Sequence, residues 1–246
     1  MVKKSLAVAL GAMLVAGSAA AVEVNPGAKG DLLIAPLFMT KGGWQSEFKV
    51  INTSVTDSAV AKVVFHAPGR SDEVLDFLIF LSPGDVWVGN VVENADGSVG
   101  VASTDASSIT VANSGACPAA SGTPGFSPMQ AKFTLPVATG YANIFQARMI
   151  RGIAPEADGT VSKAKILAAY SAACVANTPI TTADTENVLT GSVTMSNPLN
   201  GNKLTLGMTA LANYDNLAYL SVGGLTSFAT NIANSSKQQV EDALWS

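Results

Sequence analysis

Between Leu75 and Val91 the chain reads LDFLIFLSPGDVWVGNV, and this stretch limits the fold more than any other. From Val74 to Leu81 only Asp76 is polar. A run this short, rich in Phe, Ile and Leu and bounded by turn residues, predicts a strand with both faces covered. Ser82-Pro83-Gly84-Asp85 follows. Proline presets φ at about −65° in the second position of a four-residue turn, and glycine accepts the positive φ that a type II turn demands in the third. Val86–Val92 then returns as the next strand, with Trp87 expected in the core. Backbone geometry alone accounts for the bend, so Ser82 and Asp85 read as turn residues and not as a nucleophile with its acid.

The same pattern of short runs and turns recurs along the chain. Trp44–Asn52 (WQSEFKVIN) alternates, with Trp44, Ser46, Phe48 and Val50 on one side and Gln45, Glu47 and Lys49 on the other. That is a half-buried strand. Asp31–Phe38 precedes it across Thr40-Lys41-Gly42-Gly43, and Pro36 marks an edge strand or a bulge. Thr53–Ser58 is a loop, and Ala59–His66 a strand closed by Pro68–Ser71. Asp96-Gly97 turns into Ser98–Ser103. Further strands are expected at Lys132–Val137, Tyr141–Gly152, Val188–Ser196 and Lys203–Leu211, with a turn at Asp158-Gly159-Thr160. Ser103 to Pro128 is dominated by Ser, Ala, Gly, Thr and Pro and predicts a long surface loop. Val161–Ala173 predicts an interior helix, with Ile166, Ala169, Tyr170 and Ala173 on one face. Ser236–Trp245 predicts a C-terminal helix, with Ser236 as N-cap and Gln239 three residues on.

Strands separated by turns every 8–12 residues predict a mainly β chain folded as an antiparallel β-sandwich. The interior helix, the Ser/Ala/Gly loop and the C-terminal helix are its additions. Residues 22–246 are expected to form one domain, with a sub-boundary in the loop 104–128. Val74, Leu78 and Phe80 leave an apolar face opposite Leu75, Phe77 and Ile79, which calls for a cover. Three pieces occur in order: KVINTS (Lys49–Ser54), AVAKVVF (Ala59–Phe65) and LSPGD (Leu81–Asp85). On them, residues 31–103 resemble the immunoglobulin-like sandwiches of exported bacterial surface proteins. That resemblance implies adhesion, spacing or assembly rather than catalysis, and it transfers no functional residue.

The N-terminus fixes the expected compartment. Lys3 and Lys4 precede the apolar Leu6–Ala16 and the small residues Gly17–Ala21. This is the pattern of a secretory signal, residues 1–21, cleaved after Ala21. The apolar stretch falls short of the roughly 20 residues that a membrane span needs. The expected location is therefore periplasm, cell surface or medium. In an oxidising compartment Cys117 and Cys174, the two cysteines, are expected to pair. A loop of that length gives about 4 kcal/mol in the chain-entropy account. Charged residues are only 13% and the net charge is −4, so nothing suggests nucleic acid, which calls for a basic patch.

No convincing catalytic set emerges. His66 is the sole imidazole and ends a strand beside a Pro-Gly turn, a structural position. One histidine and two cysteines are a poor basis for zinc. Ser162–Lys165 fits S-x-x-K at a helix start, and Tyr214-Asp215-Asn216 imitates a second element of the serine acyl-transferases, but no K-T-G follows. Asp96 and Asp158 sit in D-G turns without a calcium-loop array. Asn52-Thr53-Ser54 and Asn234-Ser235-Ser236 match the glycosylation pattern and mark loops. The expectation is an exported, non-enzymatic structural or adhesive protein without a cofactor or resident metal. Its expected partners are cell-surface components or a second copy, joined by strand addition, with Val22–Gly27 as a free donor strand. The alternative is a glycan- or small-ligand-binding module using Trp44, Trp87 or Trp245; a hydrolase ranks third.

Overall fold

The computed structural model describes residues 23–25, 28–69, 72–110, 130–176 and 186–214. The leader with its cleavage site at Ala21, Cys117, and the expected C-terminal helix lie outside the described residues, and with them the disulfide from Cys117 to Cys174.

Among the described residues thirteen strands form two antiparallel sheets. In chain order they are β1 (Glu23–Val24), β2 (Leu32–Met39), β3 (Gln45–Asn52), β4 (Ser58–His66), β5 (Glu73–Leu81), β6 (Val86–Glu93), β7 (Val99–Ala102), β8 (Ser108–Thr110), β9 (Lys132–Leu135), β10 (Thr139–Ile150), β11 (Leu189–Asn197), β12 (Asn202–Gly207) and β13 (Thr209–Ala212). The helix α1 (Lys163–Val175) lies between β10 and β11 in sequence. The first sheet runs β1-β13-β2-β10-β4-β5-β8 and the second β12-β11-β3-β6-β7-β9. The expected β-sandwich is therefore present, with strands from both sides of the 104–128 segment in each sheet.

The space between the sheets is filled by aromatic rings. Phe65 packs edge-on against Phe38 at 5.4 Å and Phe48 at 5.3 Å, and Phe77 meets Phe133 at 4.5 Å and Trp87 at 5.7 Å. Trp87 is fully buried, and its indole lies over Gly89, where an added Cβ would fall inside the ring. The period-2 pattern of β3 holds: Ser46, Phe48, Val50 and Asn52 are buried and their neighbours are not.

The first sheet is apolar on its outer face as well. All nine residues of β4 are buried. α1 covers Phe80 and Leu78 with Ile166, Leu167 and Tyr170, and the Phe80 and Tyr170 rings meet at 6.1 Å. This is the cover that the surplus apolar face requires. Val74, by contrast, packs on the inner core with Leu75, because the β4–β5 register shifts between Phe65 and His66.

Three expectations are corrected. The tail is not a free donor strand, since Glu23 and Val24 pair with Ala212 and Leu211 of β13. Of the two readings of Pro36 the bulge holds: β2 lies between β13 and β10, and the β2–β10 ladder skips Pro36 and Leu37 at a bulge. Lys203–Leu211 is two strands, not one; the chain leaves the second sheet at Gly207 and enters the first at Thr209, with Met208 buried at the crossing. The segment read as loop from Ser103 contains β8, which extends the first sheet beside β5.

Candidate functional site

Two of the three pieces quoted for the resemblance, those carrying Asn52-Thr53-Ser54 and Ser82-Pro83-Gly84-Asp85, meet at one end of the sandwich. Gly84 has φ +69° and the Asp85 amide donates to Ser82 O at 3.1 Å, which closes the expected turn. The Asn52 side chain, fully buried, donates to Asp57 O at 2.8 Å and Ser82 O at 3.0 Å, while its Oδ1 accepts the Ser54 amide at 3.0 Å. Gly84 N donates to Ser54 O at 2.8 Å. An asparagine with both ends engaged and no exposure is a structural pin, not a glycosylation acceptor. Asn234 lies outside the described residues.

The start of α1 docks on the same end. Ser82 Oγ donates to Val161 O at 3.0 Å. Lys163 donates to Phe80 O at 2.8 Å and pairs with the Asp85 carboxylate, which also accepts the amides of Ser82 at 3.0 Å and Val86 at 2.9 Å. Burial pulls the Lys163 amine down to about 8, and the carboxylate against it acts in the opposite direction. Arg151 bridges to Glu186 at 2.8 Å and lies 3.9 Å from Asp57. Ser82, Asp85 and Lys163 form a serine, an acid and an amine in contact, yet each polar atom is committed to holding a turn or a helix end. A nucleophile needs its proton aimed at a base; that of Ser82 is aimed at a carbonyl.

The S-x-x-K pair, Ser162 and Lys165, is also structural. Ser162 caps α1, its carbonyl accepting the Ile166 amide at 3.2 Å. Lys165 turns away to Glu156 at 2.9 Å and Ala154 O at 3.2 Å. Tyr214 is buried, its amide held by Asp31 Oδ1 at 2.9 Å; Asp215 and Asn216 lie outside the described residues. Asp96 accepts from Ser98 and Asp158 from Thr160, closing their D-G turns, and these bonds hold both carboxyls below the ordinary aspartate value. Among the described residues no group of three or more His, Cys, Asp or Glu side chains is placed to hold a metal.

A second polar cluster lies on the outer face of the first sheet, and the sequence reading missed it. Lys62, fully buried on β4, pairs with Asp76 of β5 at 2.6 Å. Glu73 stands nearby, its carboxyl raised by burial, lowered by Lys62 and raised by Asp76, with a net upward displacement. His66 stacks on Tyr141 at 4.6 Å with nearly parallel rings, and its Nε2 is 3.3 Å from Asn143 Nδ2. The signal was available: Lys62 is the one charge inside AVAKVVF, and Asp76 the one charge inside VLDFLIFL.

At the opposite end of the sandwich a groove of about 540 Å³ is lined by Lys41, Pro68, Ser98, Thr134, Pro136 and Thr139, among others. Of the tryptophans offered as platforms, Trp87 is core, Trp44 is half-buried and Trp245 lies outside the described residues. No helix among the described residues is long and apolar enough to cross a membrane. In comparisons with family models, curated proteins and solved structures, nothing matches this chain.

Proposed function

We propose that the chain is an exported, non-enzymatic structural or adhesive protein of the cell surface or its surroundings, acting through the surfaces of an immunoglobulin-like sandwich. The observation that supports this reading most is the use made of the reactive groups. Asn52, Ser82, Asp85 and Lys163 converge at one end of the sandwich, and their hydrogen bonds join two turns and a helix start. Groups spent in this way stiffen a scaffold. The secretory pattern at Lys3–Ala21 supplies the destination.

Fractionation of producing cells, with protease shaving of intact cells, tests this reading. Protein beginning at Val22 in the periplasm, on the surface or in the medium supports it. Cytoplasmic protein retaining residues 1–21 overturns it, as does a hydrolytic activity abolished by Ser82→Ala with the fold intact. A secreted ligand-binding module is the second reading, favoured by the groove beside Lys41 and by the half-buried Trp44 near it in sequence. Titration with a glycan panel that shifts the fluorescence of wild type but not of Trp44→Phe supports that reading instead.

A further inference from the structure

We propose that β12 is an assembly edge that pairs antiparallel with β12 of a second copy, about a two-fold axis through Thr205. This rests on the surface-contact reading above and names its partner.

The four outermost strands are not alike. β9 has four residues and β12 has six, each with both ends among the described residues, whereas β1 and β8 adjoin residues outside them. Short edges resist strand addition; a long, regular one invites it. β12 pairs with β11 from Asn197↔Asn202 to Ser192↔Gly207 without a register shift, and no strand among the described residues pairs with its far side. All of its residues are exposed except Leu206, which is half-buried.

The phase of the ladder decides which backbone groups are free to pair. Met208 N donates to Gly191 O at 3.0 Å, continuing the β11–β12 ladder. Antiparallel bonding alternates, so Leu206, Leu204 and Asn202 direct their backbone groups to β11, and Gly207, Thr205 and Lys203 direct theirs outward. The side chains follow the same alternation. Leu204 faces the core side opposite Met195, like Leu206 opposite Val193, yet Leu204 remains 48% exposed. Thr205 faces outward, its hydroxyl 3.0 Å from that of Thr194.

The sequence Lys203-Leu204-Thr205-Leu206-Gly207 complements itself about its centre. A two-fold axis at Thr205 sets Thr205 against its own copy and Lys203 against Gly207, each facing pair exchanging two backbone bonds. Leu204 of each copy then lies across from Leu206 of the other, which covers the exposed leucine. The only charge on the strand faces a glycine and never its own copy, so no like charges oppose. A foreign strand has no such reason to match all of these positions. An interface of this length is small, so association is expected to be weak and concentration-dependent.

Sedimentation of the mature protein across a wide concentration range, with cysteine substitutions as a register check, tests the proposal. Wild type is expected to move from monomer to dimer. Thr205→Pro, which removes an outward-facing amide hydrogen and the hydroxyl beside Thr194 but no backbone bond of the β11–β12 ladder, is expected to stay monomeric and to keep the β-sheet circular dichroism signal. Under mild oxidation Thr205→Cys is expected to form a covalent dimer, and Lys203→Cys is not, because position 203 faces 207. A wild type that is monomeric at its solubility limit overturns the proposal, as does equal cross-linking of both variants. Either result with the protein still exported leaves the surface-contact reading standing; a cytoplasmic, uncleaved protein removes that reading instead.

Discussion

The side-chain amide of Asn52 donates to the main-chain carbonyl of Ser82 at 3.0 Å, joining the end of β3 to the turn after β5. The same amide reaches Asp57 O at 2.8 Å, so one buried group serves two loops. Asn52→Ala would leave these carbonyls without that donor inside the fold. A buried polar group left unsatisfied costs about 1–3 kcal/mol; the Ser82 carbonyl keeps the Asp85 amide, so the expected loss is about 1–2 kcal/mol. Urea unfolding checks it: the midpoint falls while the slope is unchanged.

Gly89 is held by a different constraint. Trp87 lies two residues before it on the same face of β6, and the indole folds back over the glycine, leaving no room for a Cβ. Gly89→Ala must displace the ring or bend the strand. Overpacking of this kind costs roughly 1–3 kcal/mol. The near-ultraviolet circular dichroism of Trp87 is expected to weaken in step with the loss of stability, whereas Gly97→Ala, at an exposed turn with φ +80°, leaves that signal unchanged while costing some stability through backbone strain.

Much of the fold is legible in the sequence because local rules and tertiary needs agree there. The bend at Ser82–Asp85 follows from proline and glycine geometry alone. The surplus apolar face of Leu78 and Phe80 calls for a cover, and the helix carrying Ile166 and Tyr170 supplies it. The failures occur where partners distant in sequence decide. The switch of sheets at Met208 is invisible because KLTLGMTAL reads as one β-prone run. β1 looked free because its partner β13 lies almost the whole chain away. The end cluster was half legible: Ser82 and Asp85 could be assigned to a turn, but the arrival of Lys163 from the helix depends on packing.

The Lys62–Asp76 pair allows a contrast between two substitutions. Removing either partner leaves the other charge uncompensated, but the lysine left by loss of Asp76 is fully buried, whereas the acid left by loss of Lys62 is partly exposed and can be hydrated. Breaking a buried pair costs about 3–5 kcal/mol, and the partial exposure of Asp76 lowers the expectation for Asp76→Asn to about 2–3 kcal/mol. Lys62→Met, which leaves the partly exposed Asp76 unpaired, is expected to cost less than Asp76→Asn. Thermal unfolding of both variants checks the order; a Lys62→Met more damaging than Asp76→Asn would mean that the amine has a task beyond this pair.

Glu73 gives the acid limb of the stability curve a distinctive sign. Its carboxyl is raised above the ordinary 4.5, chiefly by burial, against the pull of Lys62 and with the push of Asp76. A raised acid favours the folded state while protonated, so its contribution is present in full below pH 4.5 and is lost as the pH rises through the folded value. Asp96 and Asp158 act oppositely: their carboxyls are lowered below 3.8 by the bonds from Ser98 and Thr160, so their contributions are present above 3.8 and are lost as the pH falls through the lower folded values. Glu73→Gln, which cannot ionise, should therefore gain on wild type as the pH rises above 4.5, while the deficit of Asp96→Asn is present above 3.8 and closes as the pH falls below it. Chemical unfolding of the three proteins along this pH series checks the signs, and a Glu73→Gln variant that loses ground as the pH rises would show that the attraction of Lys62 outweighs burial at this site.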